Sequence, residues 1–387
     1  MKNSFLYKAK FFLAPLVFIW FHFGSALVIN SQFINSFIDT RRFINHFYFE
    51  DGIKAFFIPF FIFVIVPIFD MITPPSKLNP SSKKEERELI ESKIFDILVW
   101  FILPLQIAII SQFLIQFHAN YSVESPLTLI GWVLSVGMSC GILGINVGHE
   151  LGHRTNSWQR FVGKALLWTS LRMSFYIEHN WGHHTDVSTD KDPASAKRNE
   201  IVYLFIPKSI FKTWLNSWKI QKDLLKKRNV SFFSIYNDVF WYHIIQWGTL
   251  IAIALIFNWQ TSLAFLGTSL VGMALLELVN YIEHYGLRRE INENGKVERV
   301  MPIHSWNSNH SISGAVLFNL SRHSDHHYIA SRPYQILRNY DTTPNMPTGY
   351  AGMIVLSLFP PLWFNLMNKK IDKLMSKENK NQFSEIS

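Results

Sequence analysis

The chain has 387 residues, of which 49% are hydrophobic, 16% aromatic and 17% charged, and its net charge is +9. Soluble domains carry about 25% charged residues, so this balance points to a lipid-embedded chain. A single cysteine, Cys140, excludes a disulfide framework and any four-thiolate iron or iron–sulfur centre. If the protein handles electrons, their carrier is a separate molecule or is bound through histidine.

Six apolar stretches approach the roughly 20 residues needed to cross hydrocarbon. They run over about 11–29, 53–69, 94–117, 127–147, 239–257 and 262–282. The second is the shortest and is expected to tilt or to thin the bilayer. The run 161–177 carries Lys164 and Arg172 and reads as a buried or interfacial helix. Pro360 and Pro361 make 352–367 a re-entrant or interfacial segment rather than a span. The expectation is one membrane-embedded domain over 1–368 and a polar, frayed tail over 369–387. Lys2, Lys8 and Lys10 before an apolar run ending in Gly24, Ser25 and Ala26 resemble a cleavable signal peptide, but the segment reads as a retained first span.

Orientation follows from Lys and Arg. The loops 118–126 and 258–261 carry none, whereas 149–238 carries 14 and the chain after Ile282 carries 12. The positive-inside rule then puts both termini and the two long segments on the cytoplasmic side. The positive charge is thereby accounted for by topology and gives no sign of nucleic-acid binding.

Nine of the 15 histidines fall in four short clusters, all on that side. They are His149 and His153; His179, His183 and His184; His284; and His323, His326 and His327. Spacings of three and four residues put His149 with His153, His179 with His183, and His323 with His326 and His327 on one helix face each, near enough to share a metal. His184 points about 100° from His183, which suits a second metal or the other side of the same one. Nine imidazoles are too many for one ion, so two metals are the economical reading. An all-histidine or nearly all-histidine di-iron site is what remains once cysteine-dependent zinc and carboxylate-rich helix bundles are set aside.

The acids Glu150, Glu178, Asp186, Asp190, Asp192, Glu283 and Asp325 are expected to accept the other ring N–H of these histidines and so fix their tautomers. His304 and His310 read as near the site, and His22, His46, His118 and His243 as interfacial residues away from it. His149-Glu150-Leu151-Gly152-His153 is also literally the H-E-x-x-H signature of zinc metalloproteases, with Glu150 as general base.

These stretches resemble the integral-membrane alkane 1-monooxygenases of the fatty-acid desaturase and hydroxylase superfamily. The matching segments are HELGHR from His149, EHNWGHHTDVSTDKDPASA from Glu178, NYIEHYGLRR from Asn280, and HSWNSNH from His304 running on to LSRHSDHH, which ends at His327. NYIEHYG separates this group from the desaturases. The likeness spans roughly residues 70–350, and its departures at Arg154, Ser188 and Ser321 spare every histidine.

The resemblance implies an all-α membrane enzyme with six spans and a histidine-rich di-iron cap in the cytoplasm. Two non-haem irons held by the nine clustered histidines would use O2 to hydroxylate the terminal methyl of an n-alkane. Electrons would come from NAD(P)H through rubredoxin reductase and a separate rubredoxin. Because an alkane has no polar handle, its site should be an apolar tunnel reached from lipid, with Ile62 in the second span a candidate gate. The basic run Lys219, Lys222, Lys226, Lys227 and Arg228 is a candidate dock for an acidic carrier, or merely faces anionic lipid. The alternatives are a hydroxylase or desaturase for fatty acyl or aryl-methyl substrates, and an intramembrane zinc protease.

Overall fold

A computed structural model describes residues 5–29, 52–291 and 293–384. His46 lies outside them. All regular structure among these residues is helical; beyond it there are two isolated β-bridges. Six helices are long and apolar enough to cross a membrane: Leu6–Phe23, Lys54–Ile72, Lys83–Asn120, Pro126–Gly152, Asp238–Ile256 and Trp259–His284. They coincide with the six expected spans, and the third begins earlier, its helix broken once at Ser92.

The span ends follow capping chemistry. Ser125 accepts the Thr128 amide at 3.2 Å ahead of Pro126, and Asn258 accepts the Thr261 amide at 2.8 Å. Asn237 does the same for Phe240 at 3.0 Å. The fourth and sixth spans approach closely because small residues line their contact. A Cβ on Gly137 would lie 2.5 Å from Val271 Cβ, and one on Gly272 would lie 2.9 Å from Cys140 Cβ. The fourth span also contains a π turn over Cys140–Ile145, where the ladder takes one extra residue.

The expected interfacial run becomes the helix Ser157–Thr169 and a buried turn, in which Arg172 pairs with Glu277 of the sixth span at 3.2 Å. Pro360 and Pro361 do not bend a re-entrant loop. They open a helix, Pro360–Ser384, where a proline's missing N–H costs nothing. That helix runs on through the segment expected to be frayed. It is anchored by fully buried Trp363 and Met367 and by Arg198, whose Nη1 donates to Asp372 at 2.7 Å.

The first span is tied to the segment carrying the fourth histidine cluster. Tyr7 donates to the Gln335 carbonyl at 2.7 Å and Lys10 to Asn319 at 2.9 Å. At the end of the second span, buried Asp70 accepts the Ile312 and Ser313 amides, each at 3.2 Å, and the Ser313 hydroxyl, and so holds the short helix Ser311–Val316. Arg322 donates to the carbonyls of Ser76, Leu78 and Leu337, which clamps the start of the His323–Tyr328 helix to the loop after the second span. Irregular backbone this deep is sustained because such side chains satisfy its carbonyls.

Candidate metal centre

All nine clustered histidines converge, and they divide into two groups. His149, His153, His179, His184 and His326 form one; His183, His284, His323 and His327 form the other. Within each, one ligand atom per residue lies within 4.8 Å of all the rest. The first group reaches the surface at half-buried His153 and His184; the second is wholly buried. The two groups abut, with the His184 and His327 ring centroids 4.5 Å apart.

The spacings explain only part of this division. His149 and His153, one α-turn apart, share a group as expected. His179 and His183 do not, which corrects the expectation from their spacing. The segment His179–His183 is a π turn, whose repeat of five brings His179 and His184 together, Nε2 to Nε2 at 3.0 Å, and turns His183 toward the other group. The fourth cluster divides as well. His323 and His327 face one group while His326, about 100° around the helix, faces the other.

The geometry suits metal ions. Two imidazole nitrogens bound to one ion at about 2.1 Å and at right angles stand roughly 3.0 Å apart. The Nε2 pairs His149–His326, His153–His179, His179–His184 and His284–His323 stand at 2.8, 3.1, 3.0 and 3.1 Å. His183 Nε2 and both ring nitrogens of His327 are buried with no hydrogen-bond partner. Unpaired buried nitrogens are costly, and an ion in the four-histidine group would engage His183 Nε2 and one of the two nitrogens of His327. Burial holds the imidazoles in the neutral form that ligates metal: His153 is lowered to about 3, and His179, His184, His323, His326 and His327 also fall well below the usual histidine value.

Of the seven acids, Asp192 takes the expected place, with Oδ2 2.9 Å from His183 Nδ1. It is itself held by the Ser195 hydroxyl at 2.6 Å and the Ala194 amide at 3.0 Å. Burial opposes charge on His183, but Asp192 outweighs it and raises that histidine. Glu283 places Oε2 3.1 Å from His323 Nε2, on the nitrogen that faces the group rather than behind it. The others sit elsewhere. Glu150 pairs with Arg154 at 2.8 Å and accepts the Tyr334 amide at 3.3 Å. Glu178 accepts from Asn216 at 3.1 Å, and burial, reinforced by Asp192, pushes it up to about 7.

Asp190 is an exposed partner of Lys197, and half-buried Asp186 has no hydrogen bond to a ring nitrogen among the described contacts. Asp325 is taken by Arg332, the Tyr340 hydroxyl at 2.7 Å and the Arg338 amide at 2.7 Å. His304 is engaged at both nitrogens, with Glu298 at 3.0 Å and the Met301 amide at 3.0 Å. His310 contacts Ser308 Oγ at 3.0 Å, and neither histidine joins a group. His22, His118 and His243 are likewise outside both groups.

An apolar cavity opens on the histidines between the fourth and sixth spans. Its walls include Gly141, Ile142 and Ile145 on one side and Leu275, Leu276 and Val279 on the other. His149, His179 and His323 border it, so it touches both groups. Ile62 is buried but does not line it. Asn280, the first residue of the NYIEHYG segment, borders it too, as do Asn146 and Phe175, which nothing in the sequence spacing marks. Arg322 directly precedes the fourth cluster, but its sequence position gives no sign that it clamps three carbonyls.

Gly286, just after His284, has φ +70°, and a Cβ there would lie 2.4 Å from Ile371 Cδ1. Only glycine meets both demands, a physical reason for the last letter of NYIEHYG.

The fatty acid desaturase family pattern matches residues 124–357. The chain is 37% identical over 322 residues to alkane 1-monooxygenase 2 of Alcanivorax borkumensis, covering 82% of this chain and 83% of that one. It is 38% identical over 317 residues to alkane 1-monooxygenase 1 of Pseudomonas aeruginosa, with coverage of 82% and 83%. The hydroxylase component XylM of a Pseudomonas putida xylene/toluene monooxygenase is 23% identical over 252 residues, covering 65% of this chain and 67% of that one.

Proposed function

The chain belongs to the fatty acid desaturase family, within reach of its alkane 1-monooxygenases, and on that premise we propose that it hydroxylates the terminal methyl of n-alkanes to primary alcohols. The observation that carries the reading is an apolar cavity bordered by both histidine groups. In the net reaction one oxygen atom of O2 enters a C–H bond and the other leaves as water, which takes up two electrons and two protons.

Two irons, one in each histidine group, would supply O2 reduction and C–H cleavage. The chain's own residues bind, orient and exclude. The nine imidazoles would hold the metals, and Asp192 fixes the tautomer and direction of His183. The leucine and isoleucine walls desolvate a chain that has no polar group, and they keep bulk water from the reacting carbon.

The electrons would come from NAD(P)H by way of rubredoxin reductase and rubredoxin. Lys219, Lys222, Lys226, Lys227 and Arg228 are all exposed along and just after the helix Val202–Lys227. The same helix packs on the second histidine cluster, where a Cβ on Gly182 would lie 2.8 Å from Ile220 Cδ1. This placement supports docking of an acidic carrier there. The charge asymmetry of the loops supports a cytoplasmic site, with both termini on that side of a bacterial inner membrane.

The H-E-x-x-H reading as a protease loses its support, because Glu150 is turned to Arg154 and Tyr334 rather than to the histidines. The test is metal analysis of purified protein, followed by an assay with NADH, rubredoxin reductase and rubredoxin on octane, hexadecane, xylene and a fatty acid. About two irons per chain and 1-alkanols are expected. One zinc, or oxidation of xylene or the fatty acid alone, refutes the proposal.

A further inference from the structure

We infer that Leu275, seated against Gly141 at the membrane-side end of the apolar cavity, sets the longest alkyl chain the site accepts. The inference rests on the proposed alkane hydroxylation and names the feature that would give it chain-length preference. Glu283 and Leu275 lie eight residues apart on the sixth span, and His149 and Gly141 lie eight apart on the fourth. At 1.5 Å per residue each wall is about 12 Å deep. An alkane whose terminal methyl reaches the histidines must lay its remaining carbons along these walls toward that far end.

The end is closed by contact between helices. A Cβ on Gly141 would lie 2.8 Å from Leu275 Cδ2, and one turn deeper Gly137 meets Val271 while Gly272 meets Cys140. Backbone forms one side of that seam, so it cannot retract. The Leu275 side chain is the last movable group before it. Removing that side chain lengthens the cavity, and enlarging it shortens the cavity. A Cβ at Gly141 acts like enlargement, because it drives Leu275 upward. Ile62 does not line this cavity.

Leu275→Ala, Leu275→Phe and Gly141→Ala test the inference in nanodiscs with native iron loading. An equimolar ladder of n-alkanes from hexane to hexadecane is supplied. One measurement is the alcohols formed with electron donors present; the other is the alkanes retained without donors. Leu275→Ala should raise the yield of long over short alcohols on the order of tenfold, and the other two should lower it by a similar factor. Retained alkanes should shift in the same directions.

Opposite shifts from substitutions at one position are not produced by general destabilisation. Leu275→Val carries the lengthening arm if the alanine variant does not assemble. Unchanged product and retention ladders in the variants overturn the inference. A wild-type enzyme that forms no alkanol refutes the proposed function instead, and the retention ladder then still decides whether Leu275 limits chain length.

Discussion

His179 and His184 are five residues apart, yet their Nε2 atoms lie 3.0 Å apart, whereas His179 and His183, one α-turn apart, belong to different histidine groups. A single π turn makes the difference. It makes one helical segment contribute histidines to both neighbouring groups. π turns are rare and occur often at functional sites, and this one has a direct geometric consequence.

The division makes a prediction about double variants. His179→Ala with His184→Ala removes two ligands from the five-histidine group and should leave about one iron per chain, held by the intact group of four. His183→Ala with His184→Ala takes one ligand from each group and should leave less than one. Iron quantification on purified protein checks both. Equal iron in the two variants would refute the partition.

Asp192 holds His183 through Nδ1 at 2.9 Å and is itself held by Ser195. Asp192→Ala should therefore weaken metal binding at the four-histidine group by about 10- to 100-fold. Competition with a graded chelator should show one weakened iron and one retained at wild-type affinity. Ser195→Ala should give a smaller shift in the same direction.

Glu150 offers a test of its structural role. Its pairing with Arg154 and the Tyr334 amide predicts that Glu150→Gln costs about 2 kcal/mol of stability. Iron content and turnover per iron should stay near wild type. Loss of all turnover in a folded, iron-replete variant would instead make Glu150 a catalytic group.

Gly349 sits against Asp70, and a Cβ there would lie 1.9 Å from Asp70 Oδ2. Gly349→Ala should expel that carboxylate from the helix Ser311–Val316, at a cost of about 3 kcal/mol. Asp70→Ala removes the same support and should cost about 2 kcal/mol. A lowered midpoint of thermal inactivation in both variants is the expected result.

Reversing Lys219, Lys222 and Lys226 to glutamate tests the docking surface. The rate of rubredoxin-dependent turnover at low salt should fall by about tenfold or more, and its dependence on ionic strength should flatten. Turnover with a small-molecule reductant should not change. A variant with wild-type rate and salt dependence would place the docking surface elsewhere.

The residue order was enough to locate six spans, because crossing hydrocarbon demands about 20 apolar residues in a row and leaves a mark in any window of that length. It was also enough to pick out the nine histidines, since imidazoles gathered in short clusters on one side have few other uses. Which histidine joins which group was not legible. The side a ring faces depends on local helix geometry, and nothing in the residues His179–His183 announces a π turn.

The acids divided for a similar reason. Proximity in sequence suggested seven partners for the ring nitrogens, but Arg154 claims Glu150, and Arg332 with Tyr340 claims Asp325. Arg332 and Tyr340 lie 7 and 15 residues beyond Asp325, past the end of its helix, and only the fold turns them back onto it. Pro360 and Pro361 showed that the backbone changes there but not whether a loop or a helix follows, because proline suits both a break and a first turn.

The cavity lay furthest from view. It is bounded by the fourth and sixth spans, more than a hundred residues apart, and its floor exists because Gly141 lets Leu275 close on it. Composition and spacing thus determined that this protein lives in a membrane and gathers histidines for metal. Tertiary packing alone decided how those histidines divide and where an alkyl chain could lie, because both depend on contacts between residues that the sequence keeps apart.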